Sequence, residues 1–440
     1  MTPAIFLADW SWTLDGPIVL VAVLCGIAAS VPGTFLVLRR MSLLGDAISH
    51  AVLPGLAAAF FLTGSRDSLP MFAGAVVVGA LTAFFSGWIS RTGQVDEGAS
   101  LGVVFTSLFA IGLVMMVRAA DTVDLDVSCV LYGSIETVVL DQTEHFGVTL
   151  PRAAWTIATV ALINGIFVGL FYKELMLSSF DAGLATASGF SAAVLHYGLM
   201  ILVAITAVAC FESVGSVLVV AMFVVPPATA YLLTRRLAVM IALSVAIAVS
   251  GSIIGYAAAI EVPRWFSLES TKVAGAVSVV LGTLFLAALA FSPTAGVVPR
   301  WWRERRLRRE ILIDDVLAYL FRVDERSLPV QTTFDTLRSV MLCKAARLRW
   351  ALRRLEHRGD VVFEHGQYAL TEVGRSVGQT LVRSHRLWET YLQDNTELAP
   401  NRLHVHAERL EHFTRPELRE ALGEEITGQV DPHGSPIPER

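Results

Sequence analysis

Arg39-Arg40-Met41-Ser42-Leu43-Leu44-Gly45-Asp46-Ala47-Ile48-Ser49-His50-Ala51-Val52-Leu53-Pro54-Gly55 joins one long apolar run to the next. Two arginines stop the first run, and a carboxylate and an imidazole are then carried into the second. On a helix Asp46 and His50, four apart, share one face. An ionisable side chain near the bilayer centre costs about 2.5–3.5 kcal/mol on insertion scales, so such residues line a path or a site. An Asp oxygen beside a His nitrogen suits a borderline divalent ion. The competing reading makes His50 a hydrogen-bond partner of a neighbouring helix and Asp46 a cap after the basic loop.

Composition places this pair in lipid. The chain has 440 residues, 54% hydrophobic and 17% charged, with a mean hydropathy of +0.60. A soluble domain carries about 25% charged residues. The net charge of −5 is unevenly spread, because residues 300–440 hold 23 Lys and Arg, 22 Asp and Glu, and seven of the ten histidines. A nearly charge-free membrane part is therefore followed by a part with the composition of a soluble protein. Cys25, Cys129, Cys210 and Cys343 form no CxxC, so neither a disulfide framework nor a zinc ribbon is expected. Residues 1–16 lack a basic start and a small-residue cleavage site, so no removable signal peptide is expected.

A helix spans a bilayer with about 20 apolar residues. Uncharged runs of that kind occupy 17–38, 68–90, 99–117, 153–172, 213–233, 237–260 and 273–291. Two more carry one histidine each, 47–64 with His50 and 182–211 with His196. The latter is too long for a single span and predicts an amphipathic turn at its start. Placing Arg39-Arg40, Arg91, Lys173, Arg235-Arg236 and the cluster Arg300-Trp301-Trp302-Arg303-Glu304-Arg305-Arg306-Leu307-Arg308-Arg309 on the cytoplasmic side gives a consistent alternation, with the C-terminal part inside. Residues 121–145 are polar and predict an external loop, and 173–189 predicts a short cytoplasmic helix between spans. Glu212, between two apolar runs on the outer side, reads as interfacial or as part of an entry route.

Beyond the basic cluster, 311–322, 334–344 and 345–357 predict three helices, and 361–363 with 367–370 predicts a hairpin around His365-Gly366. That is the order of a winged helix. A long helical pattern follows from Thr371, then helices over 402–412 and from Pro416. Residues 300–358 hold 15 basic and eight acidic side chains, and the remainder reverses this to eight and 14. The first balance fits polyanion contact, with Arg347, Arg349 and Arg353 as DNA contacts, against the default of a solvated face. The second fits cation binding. Glu408, Glu411 and His412, spaced i, i+3, i+4, share a helix face that His404 extends, and His385 lies one helix earlier. Two Glu and two His suit a divalent transition metal, against the alternative of a solvated amphipathic face. No GxxxxGK[ST] and no HExxH occurs, so the chain holds no ATP in a P-loop of its own.

These residues carry two resemblances. Residues 17–291 resemble the permease subunits of the manganese/zinc/iron-type ABC importers. The matching motifs are the opening stretch, Phe180-Asp181 with Ala185 and Gly189, and Val214-Gly215-Ser216-Val217-Leu218-Val219-Val220-Ala221-Met222-Phe223-Val224-Val225-Pro226-Pro227-Ala228-Thr229-Ala230. The resemblance implies a dimeric pore made with a second permease subunit, identical or paralogous. It also implies an extracytoplasmic metal-binding protein and a separate cytoplasmic ABC ATPase. Phe180, Asp181 and Gly189 then belong to the coupling helix that presses on the ATPase, and Asp46 and His50 to the translocation path. Glu212 departs from the family, which more often has a neutral polar residue there.

Residues 311–438 resemble the diphtheria toxin repressor family of metal-dependent regulators. The motifs are Leu370-Thr371-Glu372-Val373-Gly374-Arg375, Ser384-His385-Arg386-Leu387-Trp388-Glu389, Ala407-Glu408-Arg409-Leu410-Glu411-His412 and Asp431-Pro432-His433-Gly434-Ser435-Pro436-Ile437-Pro438. By motif position His385, Glu408, Glu411 and His412 correspond to metal ligands. Asp314 or Asp315 matches a ligand of the family's first helix, whereas the position a turn later holds Leu317 or Ala318 rather than an acid.

The expectation is an all-α polytopic membrane protein of about eight or nine transmembrane helices with a C-terminal cytoplasmic winged-helix plus helical metal-binding domain. Its parts are an N-terminal segment (1–16), a permease domain (17–299), a basic linker (300–310), a winged-helix-like domain (311–370) and a helical metal-binding and dimerisation domain (371–440). The expected function is import of manganese, zinc or iron across the cell inner membrane by a permease subunit that is not itself an enzyme. The fused domain senses cytoplasmic metal and gates transport, or, alternatively, acts as a metal-dependent DNA-binding repressor. Membrane lipid and, on the alternative, DNA join the ATPase, the metal-binding protein and the second permease as partners.

Overall fold

Among the described residues, nine helices are long and apolar enough to cross a membrane. The computed structural model describes residues 11–63, 68–120, 135–145, 147–265, 271–396, 400–426, 428 and 430–438. The first four spans are α1 (Asp15–Leu38), α2 (Leu44–Thr63), α3 (Ser68–Gly93) and α4 (Glu97–Ala120). A 3-10 turn (Ile135–Leu140) and a hairpin of β1 (Gln142–His145) and β2 (Val148–Pro151) lead into α5 (Arg152–Leu170). Two short helices follow, α6 (Tyr172–Phe180) and α7 (Ala182–Ala187). The last four spans are α8 (Ala192–Val214), α9 (Ser216–Leu233), α10 (Leu237–Trp265) and α11 (Val273–Phe291).

The break expected early in 182–211 falls between α7 and α8. Gly189 takes φ +90°, and the Ser191 hydroxyl accepts from the Val194 N–H to restart the helix. The loop expected over 121–145 differs from expectation where it is described. Ile135 and Val138 are buried among the helices, because the 3-10 turn places its apolar side chains inward. Residues 121–134 of that loop and 1–10 of the N-terminal segment lie outside the described residues.

Burial sorts the spans. The apolar windows of α1, α2 and α8 are 67%, 65% and 67% buried, against 22% for α4 and α11. The Asp46/His50 helix is therefore an inner one. Close approach explains the density: a Cβ at Gly33 of α1 would strike the Phe223 carbonyl of α9, and one at Gly55 of α2 would strike the Gly74 carbonyl of α3. Asn164 of α5 adds polar glue, its Nδ2 donating to the Ala28 carbonyl at 2.9 Å and to Thr206 Oγ1 at 2.8 Å.

The chain divides into two compact units, Met1–Pro299 and Arg300–Arg440. In the second, the stretch expected as a linker over 300–310 is helical, within α12 (Val297–Glu325). Its i,i+4 pairs, Arg300–Glu304 at 3.3 Å and Arg306–Glu310 at 3.0 Å, favour helix over coil. Then come α13 (Phe334–Val340), α14 (Ala345–Arg358), β3 (Val361–Glu364), β4 (Gln367–Leu370), α15 (Glu372–Asn395), α16 (Pro400–Glu411) and α17 (Pro416–Glu425). Leu348, Leu352 and Leu355 fall on one face of α14 and pack with Ile313, Val316, Leu317 and Leu320 of α12 and Leu337 of α13. Gly359 ends α14 at φ +77°, and His365-Gly366, at φ +51° and +80°, turn the β3–β4 hairpin. Helix, helix, helix, wing is the observed order.

The tail end of the chain is tied back to α15. Arg386, nearly fully buried, grips Glu325 of α12 with two bonds of 2.8 and 2.6 Å, and its Nη1 also donates to the Pro436 carbonyl. The Arg386 guanidinium holds the Glu325 carboxyl below its usual value. Removing one partner strands the other charge, so Arg386→Ala is expected to destabilise this unit by about 3–5 kcal/mol. The measurement is hydrogen exchange of α15 in the full chain, which should accelerate in the variant.

Candidate metal sites

Three arrangements of side chains follow from these elements. The first is on α2, where His50 Nε2 lies 3.4 Å from Asp46 Oδ1, both side chains partly exposed. Phe105 and Phe109 of α4 flank the imidazole, with ring centroids 6.3 and 5.8 Å away. Among the described residues this pair recruits no third His, Cys, Asp or Glu within ligating distance. Two donors leave most of an ion's coordination to water or to a second chain, which suits release more than retention.

The second joins the C-terminal end of α1 to the helices at 172–189. The Arg39 guanidinium donates to Ser178 Oγ at 2.9 Å and to Ser179 Oγ at 3.1 Å, and lies 3.4 Å from His196 Nδ1 of α8. Ser178 and Ser179 close α6, which hands over to α7 at Asp181. The Asp181 carboxylate accepts from the Leu184 N–H at 2.9 Å as the α7 cap. Phe180 and Leu184 are exposed, so this corner presents an apolar surface.

The third arrangement is in the second unit and has two groups. In one, His385 and Glu389 stand four apart on α15, with Nε2 3.2 Å from Oε1, and His404 of α16 closes the group. Its Nδ1 is 2.8 Å from the same Glu389 oxygen and 3.0 Å from His385 Nε2. His433 Nε2 is a further 3.6 Å from that oxygen. In the other group, His412 Nε2 is 3.3 Å from Asp315 Oδ1 and 3.7 Å from Glu411 Oε1, while its Nδ1 faces Asp314 Oδ2 at 3.3 Å. His385 touches both groups, because its Nδ1 is 2.5 Å from Glu411 Oε2.

The chemistry of these groups fits a divalent metal. Bonds of about 2.1 Å to nitrogen and oxygen in tetrahedral geometry put two donors about 3.4 Å apart, close to the observed spacings. His385 Nδ1 and Glu411 Oε2 are buried, adjacent and without a well-aligned hydrogen bond. Orphaned facing donors of this kind are what an ion satisfies. Burial depresses the His412 imidazole, but Asp314, Asp315 and Glu411 outweigh it and lift the pKa to about 10. Burial likewise raises Glu389, but His385 and His404 outweigh it and bring the carboxyl down to about 2. In the metal-free state protons hold the place of the metal.

The signs give a pH window. His412, raised from 6.5 to about 10, contributes stability that is complete below pH 6.5 and lost as pH rises through 10. Glu389, lowered from 4.5 to about 2, contributes stability that is complete above pH 4.5 and lost as pH falls through 2. With chelator present, stability from these pairs should peak between those bounds. At neutral pH metal binding should expel the His412 proton, read by calorimetry in buffers of different ionisation enthalpy.

Comparison with known proteins settles the family. The ABC 3 transport family is matched over residues 16–292. The chain belongs to the ABC 3 transport family. It is similar to the manganese transport system membrane protein MntD of Bacillus subtilis, 41% identical over 67% of this chain and 97% of MntD. It is also similar to the zinc transport system membrane protein TroD of Treponema pallidum, 38% identical over 82% of this chain and 97% of TroD. Among solved structures, PsaBC from Streptococcus pneumoniae in complex with Fab is 29% identical, with a TM-score of 0.54 over 69% of this chain and all of that one. The iron dependent repressor, metal binding and dimerisation domain is matched over residues 371–439. The TroD alignment, at 368 residues, is longer than the first unit and so takes in part of the second.

In this ABC 3 chain the structure brings together His385, Glu411 and His412 of the expected sensor set. Glu408 of α16 is exposed, four residues before His412, and joins neither group. Glu389 was not among the expected ligands, His404 was read only as extending the Glu408–His412 face, and Asp315 was one of the two first-helix candidates that the repressor resemblance named. For Glu389 the signal was present, since His385 and Glu389 repeat the i,i+4 spacing of Asp46 and His50. Asp315 is supplied by α12, and the structure sets it against His412 Nε2 while Asp314, the other candidate of that helix, faces His412 Nδ1. Arg347, Arg349 and Arg353 are exposed on α14.

Proposed function

We propose that this ABC 3 chain is the permease subunit of an importer for manganese, zinc or iron, and that its second unit is a cytoplasmic metal sensor that biases transport. The single supporting observation is that one chain carries a two-donor pair on an inner membrane helix and a denser, buried His–carboxylate array in its soluble unit. Asp46 and His50 pass the ion along the translocation path. A separate ATPase drives the cycle through Phe180, Asp181 and Gly189, an external metal-binding protein delivers the ion, and a second permease, identical or paralogous, completes the pore.

The named relatives support the substrate class, since MntD is described for manganese and TroD for zinc. His, Asp and Glu donors suit manganese, zinc and iron alike. In the sensor, the Asp315–Glu411–His412 group offers three residues. Glu408, exposed and four before His412, stands outside this group in the structure, and we assign it as the fourth ligand, brought in by rotation of its side chain when metal binds. Arg39 carries motion from α6 to α1, so Arg39→Ala should lower metal uptake several-fold with the ATPase still bound. Uptake and co-purification from the same membranes read the two effects.

The gating test uses vesicles containing the permease with its ATPase and loaded inside with metal. Internal metal should inhibit uptake by the wild type and not by a variant with Glu408, Glu411 and His412 all changed to Ala. Equal inhibition of both would sink the gating reading. A second reading, a tethered repressor, is favoured by the exposed Arg347, Arg349 and Arg353 on the third helix of a winged-helix order. It requires metal-dependent binding to DNA from its own operon with a steep salt dependence. Absence of any metal-dependent shift at moderate salt would remove it.

A further inference from the structure

We propose that the groove between the N-terminal part of α12 and the first turns of α14 binds the headgroup phosphate of an anionic phospholipid. Its volume is 680 Å³, and Trp301, Arg305, Arg308 and Arg309 face Arg347 and Trp350 across it. Glu304 is the one acid in the lining, and it is paired with Arg300 at 3.3 Å. The other ion pair at this end of α12 joins Arg306 to Glu310. Among the described residues, no ion pair neutralises Arg305, Arg308, Arg309 or Arg347. Four guanidinium groups thus share one concave space with no counter-charge assigned to them.

The guanidinium groups are also held in a particular way. Arg305 stacks on the Trp301 ring, 3.8 Å from its centroid, and Arg309 lies 5.1 Å from the Trp350 centroid. A stacked guanidinium spends its face on the indole and keeps its in-plane N–H donors for a phosphate. The volume falls in the range of small-ligand pockets, about 300–1,000 Å³, which admits a lipid headgroup.

Chain connection favours lipid over a free anion. Ser292 and Thr294 follow the last span, and both hydroxyls donate to the Leu232 carbonyl of α9, Thr294 at 2.6 Å. Trp301 comes seven residues after Thr294, a reach of at most about 25 Å even for extended chain. Trp301 and Trp302 are exposed and pack edge to face at 6.0 Å. Exposed indoles beside arginines are the chemistry of a membrane interface, and a basic stretch just beyond a span draws anionic lipid. The site stands without the sensor reading, although Asp315 lies on the same α12 helix as the groove.

The test places the full chain in nanodiscs of phosphatidylcholine alone or with phosphatidylglycerol, and follows hydrogen exchange over 300–312 and 345–351. Phosphatidylglycerol should slow exchange in both segments by about threefold or more. The triple variant R305Q/R309Q/R347Q should lose that protection while α15 and α16 exchange as in the wild type. Equal exchange in the two lipids, or protection that survives in the triple variant, would overturn the proposal. Protection by inorganic phosphate in neutral nanodiscs equal to that by phosphatidylglycerol would overturn it in favour of a soluble-anion site. Protection by a DNA duplex, with none by phosphatidylglycerol, would overturn it in favour of a nucleic-acid surface.

Discussion

Alanine at His385 is expected to remove high-affinity metal from the second unit, weakening binding by more than the 10- to 100-fold typical of losing a mere supporting partner. His385 is the residue both groups share, Nε2 beside Glu389 and His404 and Nδ1 against Glu411. Its loss takes a donor from each group at once and leaves two buried carboxylates facing one another. Metal content and affinity of the purified full chain measure the effect. His404→Ala changes a half-exposed side chain of the first group alone, so it should weaken binding less and leave the fold intact. Equal affinity in wild type and His385→Ala would show that the ion sits elsewhere.

Asp46→Asn is expected to lower metal uptake at least tenfold in a transporter that still assembles with its ATPase. The substitution keeps the shape and removes the charge. A unit charge at about 4 Å and an effective dielectric of 20 is worth about 4 kcal/mol to a monovalent ion and more to a divalent one. On the proposed path the ion then meets only an imidazole, flanked by Phe105 and Phe109 of α4. His50→Ala should have the same direction and a smaller size, since the remaining carboxylate still attracts the cation. Uptake in vesicles, normalised to protein recovered with its ATPase, decides both. Normal uptake by Asp46→Asn would move the path away from α2.

How far these sites were legible depends on the distance over which their parts are written. The spans needed only runs of about 20 apolar residues, and the break between α7 and α8 is marked locally by Gly189 and Ser191. The Asp46/His50 pair lies within five residues, so helical periodicity alone placed both on one face. The winged-helix order was equally local, because Leu348, Leu352 and Leu355 encode the buried face of α14. The helical state of 300–310 is less legible, because its charge density masks the i,i+4 pairs Arg300–Glu304 and Arg306–Glu310.

The sensor was only half legible. His385, Glu411 and His412 stood out by residue type and spacing. Asp314 or Asp315 was marked only by resemblance, and Glu389 and His404 meet only because α15 and α16 pack together. Arg39 shows the same in the membrane unit, where its hydroxyl partners lie about 140 residues away.

The sequence by itself determined that this chain crosses a membrane repeatedly, carries an Asp–His pair into it and ends in a winged-helix and helical metal-binding part. Those properties follow from hydrophobic length and helical period, which neighbouring residues specify. Only the tertiary structure decided that His385 bridges two groups, that Glu408 stands outside them and that four arginines and two tryptophans share one groove. Ligand sets and charge clusters require side chains from separate elements within a few ångströms, and packing, not periodicity, sets those distances.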